Sequence, residues 1–264
     1  PHLDFGTVRS GANLTWSNPM GTVLERLLAE TLEIYPARVT IPVPNNGHVH
    51  LRDTAEENDG RAGFIIPLLA RTYGHVMAIG NTAQPLTTPN LAHNKRRQWE
   101  SLLPASSKLK ISVAGLLTEE TRPEEIILGY DQPEGMRAYD AMKMFLRSVS
   151  NSHGADVDDL NRVIESVRVM THTPLQHRRK GPMPLMVHAE RKYDMLTGLR
   201  IPILEREQYA VKSDVEYLFH RVPQATIIIC HVSSASTIEM IRDYRVRGYD
   251  IYGEISPQYS RYTI

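Results

Sequence analysis

Two histidines two residues apart, His48 and His50, stand in the stretch Gly47-His48-Val49-His50-Leu51-Arg52-Asp53, after the apolar run Val39-Thr40-Ile41-Pro42-Val43. On a β-strand, residues i and i+2 point to the same face. A strand through this stretch therefore projects both imidazoles side by side, where they can grip one divalent metal ion. Arg52 continues that face and offers a forked cation to a carboxylate. The alternative is two chance histidines at a strand end. Lys143 is the second unusual residue, because it interrupts the apolar run Ala141-Met142-Lys143-Met144-Phe145. A lysine in a buried strand is costly unless it is paired or modified. Carboxylation of its amine by carbon dioxide would give an anion able to bridge two metals. The alternative is a lysine snorkelling from a strand edge.

Residues 1–20 read as an extended arm, and Thr22 to Ile34 as a short helix with Leu24, Leu27, Leu28 and Leu32 on one face, ended by Pro36. Residues 1–38 are thus set apart from a domain at 39–264. From Val39 onward, strands and helices alternate. After the histidine strand, a helix is expected from Glu57 to Arg71 with Phe64, Leu68 and Leu69 on one side. Strands follow at His75 to Gly80, Lys108 to Leu116, Ala138 to Leu146, Pro184 to His188, Ala225 to His231 and Asp250 to Ile255. Between them lie helical segments at Leu91 to Leu103, Pro123 to Leu128, Asp156 to Met170, Glu205 to Arg221 and Ser234 to Val246. Apolar strands alternating with amphipathic helices imply an α/β fold with a parallel sheet covered by helices. An eight-stranded (β/α)8 TIM-like barrel is the common closed solution. Seven strands are counted before Ile264. This leaves either a barrel that is C-terminally incomplete in this chain or an open doubly wound sheet. No GxGxxG follows the first strand, which weakens the open dinucleotide-binding form.

A chain of 264 residues suits one large domain. Its 30 basic and 30 acidic side chains balance to zero net charge, which argues against a nucleic-acid partner. No apolar run approaches the roughly 20 residues that span a bilayer, and no secretory signal is read at the N-terminus. Cys230 is the sole cysteine, so no intrachain disulfide forms, which suits a reducing compartment. A cytoplasmic protein is expected.

Function in a parallel barrel gathers at the carboxyl ends of the strands. Those ends carry His48, His50, Asn81, Lys143, His188 and His231. Taken singly, His188 and His231 read equally as satisfied core histidines. Four imidazoles in one ring share a simpler explanation, a metal centre with nitrogen ligands, zinc first.

This ordered set resembles the amidohydrolase superfamily, and more narrowly the dihydroorotase family of single-domain bacterial and fungal type. Further motifs carry the resemblance: residues 80–92 (GNTAQPLTTPNLA), Asn151-Ser152-His153-Gly154, residues 183–190 (MPLMVHAE) and Ser256-Pro257-Gln258. It covers roughly Gly47 to Gln258 and implies a function as well as a fold. His48 and His50 would bind the more buried of two Zn2+ ions, carboxylated Lys143 would bridge them, and His188 and His231 would bind the second. Arg52, Asn81 and His153 would hold a small carboxylated substrate. The reaction would be the reversible cyclisation of N-carbamoyl-L-aspartate to L-dihydroorotate in pyrimidine synthesis, by a homodimer. The sequence departs from the pattern at Gly80 (usually Pro), Phe145-Leu146 (usually Tyr-Pro), Ala189 (usually Gly) and Cys230 (often an acid). Ser148 and Ser150 stand nearest a missing threonine pair, and the aspartate of an eighth strand is not visible. These departures motivate two alternatives: an inactive scaffold or regulatory partner, and a sister amidohydrolase acting on another carboxylated cyclic amide.

Overall fold

The computed structural model describes residues 42–54, 60–130, 137–146, 156–172, 182–194 and 196–256. The arm and helix expected within 1–38, with Ser148, Ser150, His153, Pro257 and Gln258, lie outside the described residues, and the division after residue 38 stays a proposal. The part from Asn45 onward is one compact unit.

Strands β1 (Asn45–Val49), β2 (His75–Ile79), β3 (Lys110–Leu116), β4 (Ala141–Leu146), β6 (Leu185–His188), β7 (Ile227–Ile229) and β8 (Ile251–Gly253) pair in that order, every pair parallel. A two-residue strand, β5 (Asp156–Val157), pairs beside β4 off this path. Between the strands run α1 (Arg61–Thr72), α2 (Pro89–Ser101), α3 (Pro123–Tyr130), α4 (Ile164–His172), α5 (Arg206–Ala210), α6 (Glu216–Arg221) and α7 (Ala235–Val246). A π-helical turn, Val211–Val215, joins α5 to α6. The fold is a partial (β/α) barrel whose path of seven parallel strands follows chain order, as the alternation implied, while Asp156–Val157 form β5 where a helix was expected to start and the α-helix begins only at Ile164. Among the described residues no helix is long and apolar enough to cross a membrane.

The strands read as continuous apolar runs because both faces are covered. One set of alternate residues, including Val76, Ala78, Val113, Met142, Met144, Leu185, Val187, Ile227 and Ile229, joins the helices in the main core. The other set, Ile79, Ala114, Ala141, Met186 and Cys230 with Met77 and Ile228, forms a smaller cluster on the opposite face. Period-two alternation puts Lys143 between Ala141 and Phe145 on that inner face. The helices start where their caps allow. Thr88 accepts from the Leu91 amide with Pro89 in the first turn of α2, and Ser234 accepts from the Thr237 amide at 3.2 Å to start α7.

One expected core face is corrected. Phe64 and Leu68 are 75% and 53% exposed, while Ala62 and Ile66 are buried and Ile65, Leu69 and Ala70 pack on the core. Phe64 and Leu68 lie four apart on one outward stripe, and the smaller Ala62 hides the inward stripe from a reading that weighs bulk.

The Tyr139 ring is wedged between β3 and α3. A Cβ at Gly115 would lie 2.4 Å from Cδ1 and Cε1 of Tyr139, and one at Gly129 2.5 Å from Cδ2. Gly115→Ala is therefore expected to cost about 1–3 kcal/mol, the range for overpacking a dense core, read as a lower urea midpoint. An unchanged midpoint would mean that the ring moves freely.

Candidate metal centre

The strand ends bring the four histidines together. His48 Nε2 lies 3.3 Å from His50 Nε2, and His188 Nδ1 lies 2.9 Å from His231 Nε2. The His48 and His231 rings, which link the two pairs, are 5.7 Å apart between centroids. Lys143 sits among them, 1% exposed, its Nζ without a hydrogen-bond partner among the described residues.

The backbone reaches this arrangement by a different route from the one expected. Strand β1 stops at Val49, so His50 lies just beyond it. Arg52 does not continue the strand face, because its backbone is left-handed with φ 66°. Its carbonyl instead accepts from the Trp99 indole at 3.0 Å. Strand β7 likewise stops at Ile229, and His231 has φ 42°. Among the described residues these two are the only non-glycine positions with positive φ. Such conformations persist where surrounding structure enforces them, and both lie at this site.

Three of the four imidazoles are oriented from behind. His50 Nδ1 bonds Asn81 Oδ1 at 2.7 Å, and His48 Nδ1 bonds Glu254 Oε2 at 2.9 Å. A carboxylate and an amide oxygen only accept, so both rings carry their proton on Nδ1. Two Nε2 lone pairs then face each other at 3.3 Å. Two nitrogens bound tetrahedrally at 2.0–2.1 Å from one zinc ion would stand about 3.3 Å apart. His188 Nε2 bonds Glu190 Oε2 at 3.1 Å, which leaves its Nδ1 turned toward His231. The donor set, its spacing and the buried Lys143 amine without a hydrogen bond among the described residues all fit a metal centre.

Glu254, Glu190 and the second role of Cys230 were not legible as site features. One ligand atom each from His48, Cys230 and Glu254 lies within 4.8 Å of the others, a further possible cation-binding group. Burial alone would push the Glu254 carboxyl up, but the hydrogen bond and charge of His48, with Lys143 and Cys230, hold it below its ordinary range. Burial pushes the Cys230 thiol up to about 11. Asn81 is 6% exposed and its amide oxygen is committed to His50. Gly80, where the resembled family has proline, donates its N–H to the Ala114 carbonyl at 3.0 Å, and a Cβ there would lie 2.8 Å from that oxygen. Proline has no N–H to donate, and its Cβ would meet that oxygen.

Burial first, then the neighbouring His48, lowers His50 to about 4, and burial, then Lys143, lowers His231 to about 3. Both rings are neutral at pH 7, the form that binds metal. The unfolded chain takes up protons near 6.5, where the folded protein resists them. Stability of the metal-free protein is therefore full above about pH 6.5 and falls as pH drops toward 4. One pKa unit is about 1.4 kcal/mol, so each ring accounts for at most about 3 kcal/mol by pH 4. Urea midpoints in chelator at pH 7 and pH 4.5 check this, and His231→Asn should flatten the slope. A midpoint that is equal at the two pH values would contradict it.

No family model matches the chain. Curated relatives include the dihydroorotases of Halorhodospira halophila, 26% identical over 225 residues, and of Methylobacillus flagellatus, 23% identical over 203 residues. These matches cover 85% and 77% of this chain but 58% and 52% of the relatives, so the chain spans about half the length of the curated proteins it matches. Among solved structures, dihydroorotase from Saccharomyces cerevisiae in complex with 5-fluoroorotic acid superposes with a TM-score of 0.71 at 18% identity, over 86% of this chain and 59% of that one. L-hydantoinase from Arthrobacter aurescens gives 0.62 at 18% identity, over 84% and 48%. In sequence the chain is a relative of the dihydroorotases, and it shares its partial-barrel fold with dihydroorotases and hydantoinases alike.

Proposed function

We propose that the chain carries the metal site of a metal-dependent cyclic amidohydrolase that interconverts L-dihydroorotate and N-carbamoyl-L-aspartate. The observation that carries this reading is the convergence of two imidazole pairs around a buried Lys143 whose amine has no hydrogen-bond partner among the described residues. His48 and His50 would hold one Zn2+, His188 and His231 a second, and carboxylated Lys143 would bridge them. Such metal ions supply Lewis acidity and make water a nucleophile near neutral pH.

The chain's own residues do the rest. Asn81, Glu254 and Glu190 set the ring tautomers. Arg52, whose charge acts on His50, would receive a substrate carboxylate. His153 joins the substrate group on its sequence motif alone. A homodimer is part of the same proposal, and light scattering tests it.

The test is protein prepared with zinc and bicarbonate and assayed on dihydroorotate, hydantoin and dihydrouracil. Two metals per chain, preference for the carboxylated ring and loss of activity on chelation are expected. Metal without turnover of any ring would favour the inactive scaffold. Turnover of hydantoin ahead of dihydroorotate would favour a sister enzyme and remove Arg52 from its role.

A further inference from the structure

Glu190 faces two ways. Its Oε2 accepts from His188 Nε2 at 3.1 Å and its Oε1 from Arg206 Nη1 at 3.2 Å. Arg206 is 5% exposed although it opens α5. Its Nε donates to the Ile201 carbonyl at 3.2 Å, and its own carbonyl accepts from the Arg191 amide at 3.4 Å. The Ile201 amide in turn bonds the Lys192 carbonyl at 2.9 Å. Arg206 thus ties together the two ends of the loop that leaves β6 and leads to α5, and the same guanidinium grips the carboxylate behind His188. A buried arginine is expensive unless its donors are used. Here two of them are spent on the loop base and on Glu190.

We infer that Glu190, held by Arg206, is a positioning residue. It keeps the His188 proton on Nε2, so that the Nδ1 lone pair points toward His231, and it makes the closed loop base a condition of that orientation. The inference rests on the proposed metal site for its consequence, but not for its geometry. An imidazole without an outer partner divides its proton between two nitrogens and is free to rotate, whereas a carboxylate behind it fixes the tautomer and raises its basicity toward a metal. Phe145, 5.4 Å from the His188 ring centroid, limits rotation on one side but cannot choose a tautomer.

The experiment uses metal-free protein carrying 15N-labelled histidine, with the His188 signals assigned by their loss in His188→Asn. Wild type should show an Nε2–H ring at His188. Glu190→Leu should give mixed tautomers, Glu190→Gln should retain the wild-type form because its amide oxygen still accepts, and Arg206→Met should lie between. In chelator competition with zinc, Glu190→Leu should bind about 10–100-fold more weakly, as expected when an outer partner of a metal ligand is lost. Glu190→Gln should stay within several-fold of wild type. Wild-type tautomer and wild-type zinc affinity in Glu190→Leu would overturn the inference. If Arg206→Met melts lower yet leaves the His188 signals unchanged, Arg206 is only structural and its part falls. Should wild type itself bind no zinc, the proposed function fails, while the tautomer signals still decide the role of Glu190.

Discussion

Lys143→Met protein is expected to be more stable than wild type when both are metal-free, and to lose the metal centre. The wild-type amine is buried, 1% exposed, and has no hydrogen-bond partner among the described residues. A buried polar group left unsatisfied costs about 1–3 kcal/mol. Methionine has nearly the same length and no polar atom to desolvate, so most of that cost should return. For a domain of this size, about 1 kcal/mol moves the melting temperature by about 2–4 °C. The opposite effect should appear in zinc and bicarbonate. Without a bridging anion, the imidazole nitrogens bring no negative charge of their own to two divalent ions, and metal content should fall to one per chain or less. Turnover should drop about 1,000-fold or more, equivalent to about 4 kcal/mol of transition-state stabilisation. Calorimetry in chelator and metal analysis after dialysis read the two effects separately. Retention of two metals would remove Lys143 from the centre. A lower metal-free melting temperature would show that its amine is satisfied after all.

His48→Ala should weaken metal binding more than any change behind a ligand. His48 touches three parts of the site at once: His50 through Nε2, Glu254 through Nδ1, and the donor group that includes Cys230. Its loss removes a ligand and also strands a Glu254 side chain that is only 26% exposed. Glu254→Gln is the matched comparison, because its amide oxygen can still accept from His48 Nδ1. Glu254→Gln keeps that acceptor and should stay within several-fold of wild type, whereas loss of an outer partner alone costs about 10–100-fold and His48→Ala, which also removes a ligand, should exceed that range. Chelator competition on both variants gives the order. If Glu254→Gln were the weaker binder, Glu254 would be a direct ligand and His48 its support.

The sequence exposed the parts of this site that break a pattern. Lys143 stood out as a charge inside an apolar strand, and His188 and His231 as polar ends to apolar runs. Glu254 broke nothing. An acid after Tyr252-Gly253 reads as ordinary surface alternation, and its partner is 206 residues away. Glu190 was hidden for a different reason, since its role depends on which way the His188 ring faces. Arg52 was misplaced because left-handed backbone at a non-glycine residue has no signature in composition or spacing. The outward Phe64 and Leu68 show the limit of reading helix faces by bulk, because Ala62 buries completely while contributing little to any apolar stripe.

The bond between His48 and Glu254 also says something about the order of assembly. It joins the first strand of the path to the residue that follows the last, so it closes the longest loop recorded among the site's hydrogen bonds. Closing a loop of that length is entropically slow and comes late in folding. A ribosome-bound chain whose Glu254 has not yet emerged can present His48 and His50, but with the outer partner of His48 absent. Full-affinity metal loading therefore becomes a checkpoint on a chain in which β1 and the residue after β8 have already met.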